Sequence, residues 1–478
     1  MGDTLDPKDW SAFRSRAHAM LDSALDRMEG AGDGPVWQQP TEALKAAFDQ
    51  PLPRTGGAID DTIRDLLPFG VGNTHPRFFG WVHGSGTPTG LLAEIAAAAM
   101  NANLGGRDHG AMYVEQQVIR WCRDLFGFPE GASGLIVSGT SIATIIALKA
   151  ARDRLSDFAA RKTGVGQGLV GYTSTQTHAC VARAFDILGI GSDALRRIPV
   201  NAAFQIDLPA LEDAIAKDRA AGLTPFALIG TAGSVDLGAI DDLPALADIA
   251  AREGLWFHVD GAFGALGVLS DRLRPRLAGM ERADSLAFDF HKWMHVNYDA
   301  GCVMIRREED HRRAFSDRPA YLAGAEEGLA AGNPWPVEYG PELSRGFRAL
   351  KVWAQLAEHG TDQLGQVIAR NCEQAAHLAA LVDADPAMER LAPVAMNICC
   401  FRYVVPGLDG EAQNRLTDRI VVALQMRGIA APSTTTIAGH RAIRVNITNH
   451  RTRTEDLDLL VDQIRAIGAE LSAQPFAG

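Results

Sequence analysis

Apolar side chains recur at helical spacing from 8 to 29 (Trp10, Phe13, Ala17, Met20, Leu21, Leu25, Met28) and stop at Gly30. This predicts one amphipathic helix, whose apolar face needs a partner surface. The next stretch, 31–57, is broken by Pro35, Pro40, Pro51, Pro53, Gly56 and Gly57 and reads as an irregular arm. A second, short helix is predicted from Ile59 to Leu67. From about 86 to 350 the pattern changes. Apolar runs (LIVS at 135–138, LVGYTS at 169–174, FALIGTAG at 226–233, LWFHVD at 255–260, SLAFDF at 285–290, GCVMIR at 301–306) alternate with helical patterns. This alternation predicts an α/β domain around a mostly parallel sheet. Residues 350–382 form a long helical pattern, and beyond it short strands (ICCFRYVV, AIRVNIT) alternate with helices over 411–427 and 454–472. The expected division is a helical arm at 1–85, a large α/β domain at 86–350 and a smaller α+β domain at 351–478.

Composition narrows the class of partner. Lys and Arg total 46 against 58 Asp and Glu in 478 residues, a net charge of −12, which argues against coating nucleic acid or an anionic membrane and for a small soluble ligand. Hydrophobic residues at 47% and charged residues at 22% are globular proportions. The six cysteines show no CxxC pairing, so buried free thiols in a reducing cytosol are expected rather than a zinc ribbon or disulfide scaffold. The first thirty residues lack a continuous apolar core, and the most apolar stretch, 91–100, contains Glu94 and is too short to span a bilayer. A cytoplasmic protein with no metal site is expected.

In an open α/β sheet, ligands bind at the carboxyl ends of the strands, so residues just after each apolar run carry the candidate chemistry. After LIV comes Ser138-Gly139-Thr140-Ser141, then a helical pattern. A glycine turn opening a helix presents N–H groups and the positive end of the helix dipole to an anion, although the same residues also serve as an ordinary N-cap. Asp260 follows LWFHV with Gly261 and Ala262 behind it, either a carboxylate within reach of a flat ligand or a helix cap. Lys292 follows SLAFDF and His291; an ammonium at the end of a buried strand is costly without a partner, and desolvated lysines suit Schiff-base formation. His178 after LVGYTS and Thr231 in GTAGS complete the set. Anion cradle, carboxylate and amine are the three things pyridoxal phosphate needs: donors for its phosphate, an anionic partner for its ring nitrogen and a lysine for its aldehyde.

Together these segments resemble the group II pyridoxal-phosphate-dependent amino-acid decarboxylases of fold type I, the aspartate-aminotransferase fold, a group that includes the aromatic-L-amino-acid, histidine and glutamate decarboxylases. The resemblance is carried by THPRFFGW at 74–81, SGTSIATIIALKAAR at 138–152, STQTH at 174–178, HVDGAFG at 258–264, FDFHKW at 288–293, PAYL at 319–322 and SRGFRALKVW at 344–353. It implies a mostly parallel seven-stranded sheet and α-decarboxylation of an L-amino acid, aromatic as a first expectation, to the amine and carbon dioxide. By the same resemblance Lys292 carries the cofactor as a Schiff base, Asp260 holds the pyridinium proton and His178 stacks on the ring. Gly139, Thr140, Ser141 and His291 surround the phosphate, Thr231 and Ala262 shape the other ring face, and Tyr321 is the mobile-loop proton donor. His291 and His295, spaced i and i+4, then read as one phosphate contact and one local residue, not a zinc pair.

The chain departs from the animal aromatic enzymes in having Asp289-Phe290 where those have asparagine–proline. Its expected substrate wall, Trp81, Val82 and His83 with Asn101, Asn103 and Arg107, is also more polar than theirs. Arg107 is open to two readings, a clamp for a substrate carboxylate or an interface arginine. Competing activities on the same fold are an aldehyde-forming oxidative decarboxylase, disfavoured by the presence of both Tyr321 and His178, and an aminotransferase, for which Arg444 is the candidate carboxylate ligand. A non-catalytic cofactor-binding protein is the distant alternative. The resemblance also implies a homodimer with shared active sites.

Overall fold

The computed structural model describes residues 4–317 and 324–473. Helix α1 (Trp10–Glu29) is capped by Asp9, whose side chain accepts from the amides of Ser11 and Ala12, and none of its residues is buried. One correction falls in the stretch read as irregular. Helix α2 (Glu42–Ala47) forms there because Thr41 caps it and Glu42 pairs with Lys45 at 2.7 Å. Helix α3 (Asp60–Leu66) is tied to α1 by a two-pronged Arg16–Asp60 bridge at 2.7 Å.

A two-residue strand, β1 (Phe78–Phe79), precedes α4 (Pro88–Met100) and α5 (Gly110–Leu125). Strands and helices then alternate: β2 (Ser133–Val137), α6 (Thr140–Leu155), the single turn α7 (Ala160–Thr163), β3 (Leu169–Ser174), α8 (Ala179–Ile187), β4 (Leu195–Ile198), α9 (Leu208–Ala220), β5 (Thr224–Thr231), α10 (Leu243–Glu253), β6 (Trp256–Asp260), β7 (Ser285–Asp289), β8 (Gly301–Ile305) and α11 (Glu308–Phe315). The seven strands order as β2-β8-β7-β6-β5-β3-β4, all parallel except β8. Both faces are covered, which is why the runs are continuously apolar. Ile136 joins the core on the α5 side, while Leu135 and Val137 join the core on the α6 and α8 side.

Helix α12 (Ala349–Ala384), broken at Gly360 by a left-handed φ of 68°, leads to the C-terminal unit. There α13 (Gly410–Met426) and α14 (Thr454–Ser472) pack on a sheet of order β1-β11-β12-β10-β9, formed by β1 with β9 (Met388–Arg390), β10 (Ile398–Tyr403), β11 (Ala431–Ile437) and β12 (His440–Asn446). Phe78 and Phe79 pair in parallel with Ala431 and Pro432, so the end of the 1–85 stretch is a strand of the C-terminal sheet. Asn449 donates to the carbonyl of His75 at 2.9 Å and Thr452 to that of Pro76 at 2.6 Å, holding it there.

Candidate active site

Five strands of the central sheet end on one side, and their next residues converge. The turn after β2 opens α6. Its Thr140 amide donates to Asp289 Oδ1 at 2.7 Å, and the Thr140 hydroxyl is buried with no protein partner. Gly301, the first residue of β8, lies so close that a Cβ there would stand 2.5 Å from the Gly139 Cα. Only glycine allows that approach. Ser141 sits beside Thr140 in the first turn of α6.

Asp289 ends β7, and the chain then turns so that Lys292 Nζ meets Asp289 Oδ2 at 2.9 Å, with His291 Nε2 at 3.7 Å from the same oxygen. His291 Nδ1 accepts from the Ala300 amide at 3.1 Å, which leaves the ring proton on Nε2. Burial pushes the Lys292 ammonium toward deprotonation, but the charge and hydrogen bond of Asp289, with Asp260 beyond it, outweigh this and leave its pKa raised. For His291, burial wins over Asp289 and the pKa is lowered.

Asp260, at the end of β6, stands between Thr231 of β5 and Ala287 of β7. It is 3% exposed and accepts from the Ala262 amide at 3.1 Å. Burial raises its pKa, while the positive charge of Lys292 opposes the rise. A buried carboxylate with so few partners is costly unless a cation or donor reaches it. Thr231 is fixed through its amide, which donates to Asp241 at 2.8 Å, and its hydroxyl is buried without a partner. Asp241 also accepts from the Ile206 amide at 2.7 Å, and burial brings its pKa up to about 6. His178 caps α8: its Nδ1 accepts from the Cys180 amide at 3.2 Å, and the exposed ring acts electrostatically on Asp260.

A cluster of rings gathers around His83, which feels the Lys292 charge. His83 lies 5.9 Å from Trp81, 5.6 Å from Phe78 and 6.0 Å from Tyr298, centroid to centroid, and Tyr298 stacks 4.3 Å from His291. Burial and the Lys292 charge both lower the His83 pKa. Gly84 makes this cluster possible, since a Cβ there would fall 2.1 Å from the His291 carbonyl oxygen.

The structure thus brings together Lys292, Asp260, His291, Thr140, Ser141, Gly139, Thr231, Ala262 and His178, with Trp81 and His83 at the mouth. Asn103 and Arg107 are engaged by other residues of the chain. Asn103 accepts from the amides of Gly105 and Arg345, and the Arg107 guanidinium stacks 4.6 Å from the Trp335 ring centroid. Tyr321 lies outside the described residues. Arg444 is spent on structure: it donates to the carbonyls of Trp81 at 2.9 Å and Asp236 at 3.1 Å, and to that of Val235, which removes the candidate carboxylate ligand of an aminotransferase. Sequence reasoning missed Tyr298 and Asp241. Tyr298 could have been noticed as an aromatic in the polar loop behind HKW; Asp241 gave no local signal. Among the described residues, no three His, Cys, Asp or Glu side chains cluster as metal ligands.

The partnerless hydroxyls of Thr140 and Thr231, the under-partnered Asp260 carboxylate and the Lys292 amine fit pyridoxal phosphate, by donor set and by charge. Comparison with known proteins agrees. The pyridoxal-dependent decarboxylase conserved domain matches residues 41–404. An aromatic-L-amino-acid decarboxylase of Bacillus atrophaeus is 32% identical over 471 residues, 96% of each chain. An L-2,4-diaminobutyrate decarboxylase of Rhizobium meliloti (strain 1021) is 29% identical over 470 residues, 96% of this chain and 92% of the relative. Among solved structures, Catharanthus roseus tryptophan decarboxylase in complex with L-tryptophan is similar with a TM-score of 0.86 and 25% identity, covering 98% of this chain and 100% of that one.

Proposed function

The chain belongs to the pyridoxal-dependent decarboxylase family, and from that premise we propose which amino acid it takes and how its own residues serve the reaction. It is a pyridoxal-phosphate-dependent amino-acid decarboxylase of fold type I. The substrate is an aromatic L-amino acid, and the product is the amine. The observation that carries this choice is the cluster of Trp81, Phe78 and Tyr298 rings around His83, a ring near enough to Lys292 to feel its charge. Offset and edge-on ring contacts of this kind favour an aromatic side chain over a charged one.

Bound in this site, pyridoxal phosphate supplies a sink for the electron pair left when the Cα–carboxylate bond breaks. Lys292 would be the covalent anchor of the cofactor, through its amine. Asp260 keeps a proton on the ring nitrogen, and that positive partner is what its burial demands. Thr140, Ser141, the amides opening α6 and the Nε2 proton of His291 hold the phosphate, with Gly139 allowing close approach. Thr231, Ala262 and His178 would hold the ring, with Thr231 and Ala262 beside Asp260. Tyr321 is the residue assigned to returning a proton to Cα.

Two further readings concern assembly and setting. The unburied apolar face of α1 (Trp10, Phe13, Leu25) and an apolar hollow of about 490 Å³ between α5 and α12, lined by Trp121, Leu125, Trp353 and Leu356, support a homodimer in which each arm covers the other chain. Six free, buried cysteines support a reducing, cytoplasmic setting, and no described helix is long and apolar enough to cross a membrane.

The test is to incubate the purified holoenzyme with L-tryptophan, L-tyrosine, L-phenylalanine, L-glutamate and L-2,4-diaminobutyrate while quantifying amine and carbon dioxide. Equal amounts of amine and carbon dioxide from an aromatic substrate are expected. Turnover confined to the acidic or basic amino acids would overturn the substrate choice, and ammonia with hydrogen peroxide would overturn the amine product.

A further inference from the structure

Asp289 is buried, with 2% of the residue exposed, at the point where β7, the opening of α6 and the start of β8 meet. Its Oδ1 takes the Thr140 amide at 2.7 Å, and its Oδ2 takes the Lys292 ammonium at 2.9 Å. The backbone closes over it. A Cβ on Gly301 would stand 2.6 Å from Oδ1, and one on Gly139 would stand 3.5 Å from the same atom. The carboxylate therefore sits where no side chain could stand on Gly301, held by the Thr140 amide and the Lys292 ammonium.

The opening of α6 is also where a phosphate docks, because its amides and the dipole attract an anion. Here that cradle already contains a fixed anion. The charges around it do not compensate fully. Lys292 is the cation in contact, His291 is held toward its neutral form by burial, and Asp260 adds a second carboxylate whose protonation Asp289 favours. Tyr298 and Cys180, the other titratable groups that feel Asp289, are kept neutral by burial. One ammonium thus faces two carboxylates before the charge of a phosphate is added.

We propose that Asp289 is a built-in opposing charge in the phosphate cradle. It makes the phosphate contribute less to cofactor binding than a neutral residue would allow, so that this chain holds its cofactor chiefly through Lys292 and Asp260. In return, Asp289 fixes the first turn of α6 and the position of the Lys292 amine. The inference rests on the reading of Lys292 as the cofactor lysine.

The experiment compares two aldehydes that differ only in the phosphate. Protein stripped of cofactor is titrated with pyridoxal phosphate and with pyridoxal, in the wild type and in Asp289→Asn, at low ionic strength, following the visible absorbance of the lysine-bound aldehyde. Asparagine keeps an acceptor for the Thr140 amide and removes the charge. Any change in the reactivity of Lys292 moves both aldehydes alike, so it cancels in the ratio of their dissociation constants. The ratio of pyridoxal to pyridoxal phosphate is expected to rise about tenfold or more in Asp289→Asn, equivalent to about 1.4 kcal/mol. Inorganic phosphate should likewise compete at lower concentration in the variant. A ratio that stays level or falls would overturn the proposal. If Asp289→Asn does not fold by circular dichroism, Asp289→Ser removes the same charge and is judged by the same ratio. Absence of absorbance with either aldehyde, or absorbance that persists in Lys292→Ala, would overturn the lysine assignment and the inference with it.

Discussion

The carboxyl edge of the central sheet and the N-terminal arm are built on opposite principles. At the sheet edge, neighbouring strands deliver Thr231, Asp260 and Asp289 into one buried cluster, and several polar groups are answered within the chain: Asp289 by Lys292 and the Thr140 amide, and the amides of Thr231 and Ile206 by Asp241. In the arm, α1 buries none of its residues, and Trp10, Phe13, Leu25, Leu52, Ile59, Ile63 and Leu66 are exposed. What fastens α1 to α3 is the solvent-facing Arg16–Asp60 pair, and such pairs contribute about 0–1 kcal/mol. The Lys292–Asp289 pair at the site is closed within one chain, whereas the arm is incomplete in apolar burial. One region depends on local geometry and the other on a second surface.

Removing the amine breaks the first half of that comparison most severely. Lys292→Ala should lower decarboxylation by about 10³-fold or more, as expected for the loss of a covalent group. It should also lower stability by about 3 kcal/mol, because Asp289 is left buried without its cation. The double variant Lys292→Ala/Asp289→Asn should regain much of that stability, measured by urea unfolding, and none of the activity. If the single variant unfolds at the wild-type urea concentration, the buried pair is not holding this edge together.

A smaller effect is expected in the arm, and of a different kind. Trp10→Ser with Phe13→Ser removes two apolar side chains, each worth about 1.5 kcal/mol or more when covered. The dimer dissociation constant should therefore weaken about a hundredfold or more, read by sedimentation, with little change in the far-ultraviolet spectrum. A wild-type chain that sediments as a monomer at micromolar concentration would remove the arm's role as a subunit contact.

The same contrast explains how much could be read beforehand. The strand ends were legible because their chemistry lies in contiguous segments, SGTS, HVDGA and HK, each attached to an apolar run of the right period. The α/β alternation and the helix at 454–472 were legible for the same reason. The strand β4 was not, since LRRI carries two arginines on an edge strand and shows no continuous run. Nor was β11, where three successive threonines hide a central strand of the C-terminal sheet. Its parallel pairing with Phe78 and Phe79 joins distant parts of the chain, and periodicity carries no register between segments so far apart. Charge pairing was the subtler omission. Nothing in the sequence assigned Asp289 a part in the site, yet the turn after β7 brings it into contact with the Lys292 ammonium. Arg107 has a left-handed φ of 92° and its guanidinium stacks on Trp335, a contact that periodicity does not signal.

At neutral pH the smallest predicted effect lies at the joint between the two regions, where His75 fixes the entry to β1. His75 Nδ1 accepts from the Arg77 amide at 3.0 Å, and burial, helped by the nearby Arg77 charge, brings its pKa down to about 4. The folded chain thus keeps this ring neutral, while the unfolded chain binds a proton below about pH 6.5. Its contribution to stability is level above pH 6.5 and declines as the pH falls from there toward 4, at about 1.4 kcal/mol per pH unit. Asp241, whose pKa is raised to about 6, acts in the opposite sense, since protonation there favours the folded chain as the pH falls through the same range. The histidine is therefore isolated by difference. His75→Asn keeps an acceptor for the amide two residues on and removes the titration. Between pH 6.5 and 4, the variant's unfolding free energy should depend on pH by one proton less than that of the wild type, while above pH 7 the two curves run parallel. Parallel curves throughout would mean that His75 is protonated in the folded chain, and that the joint is wetter than its burial indicates.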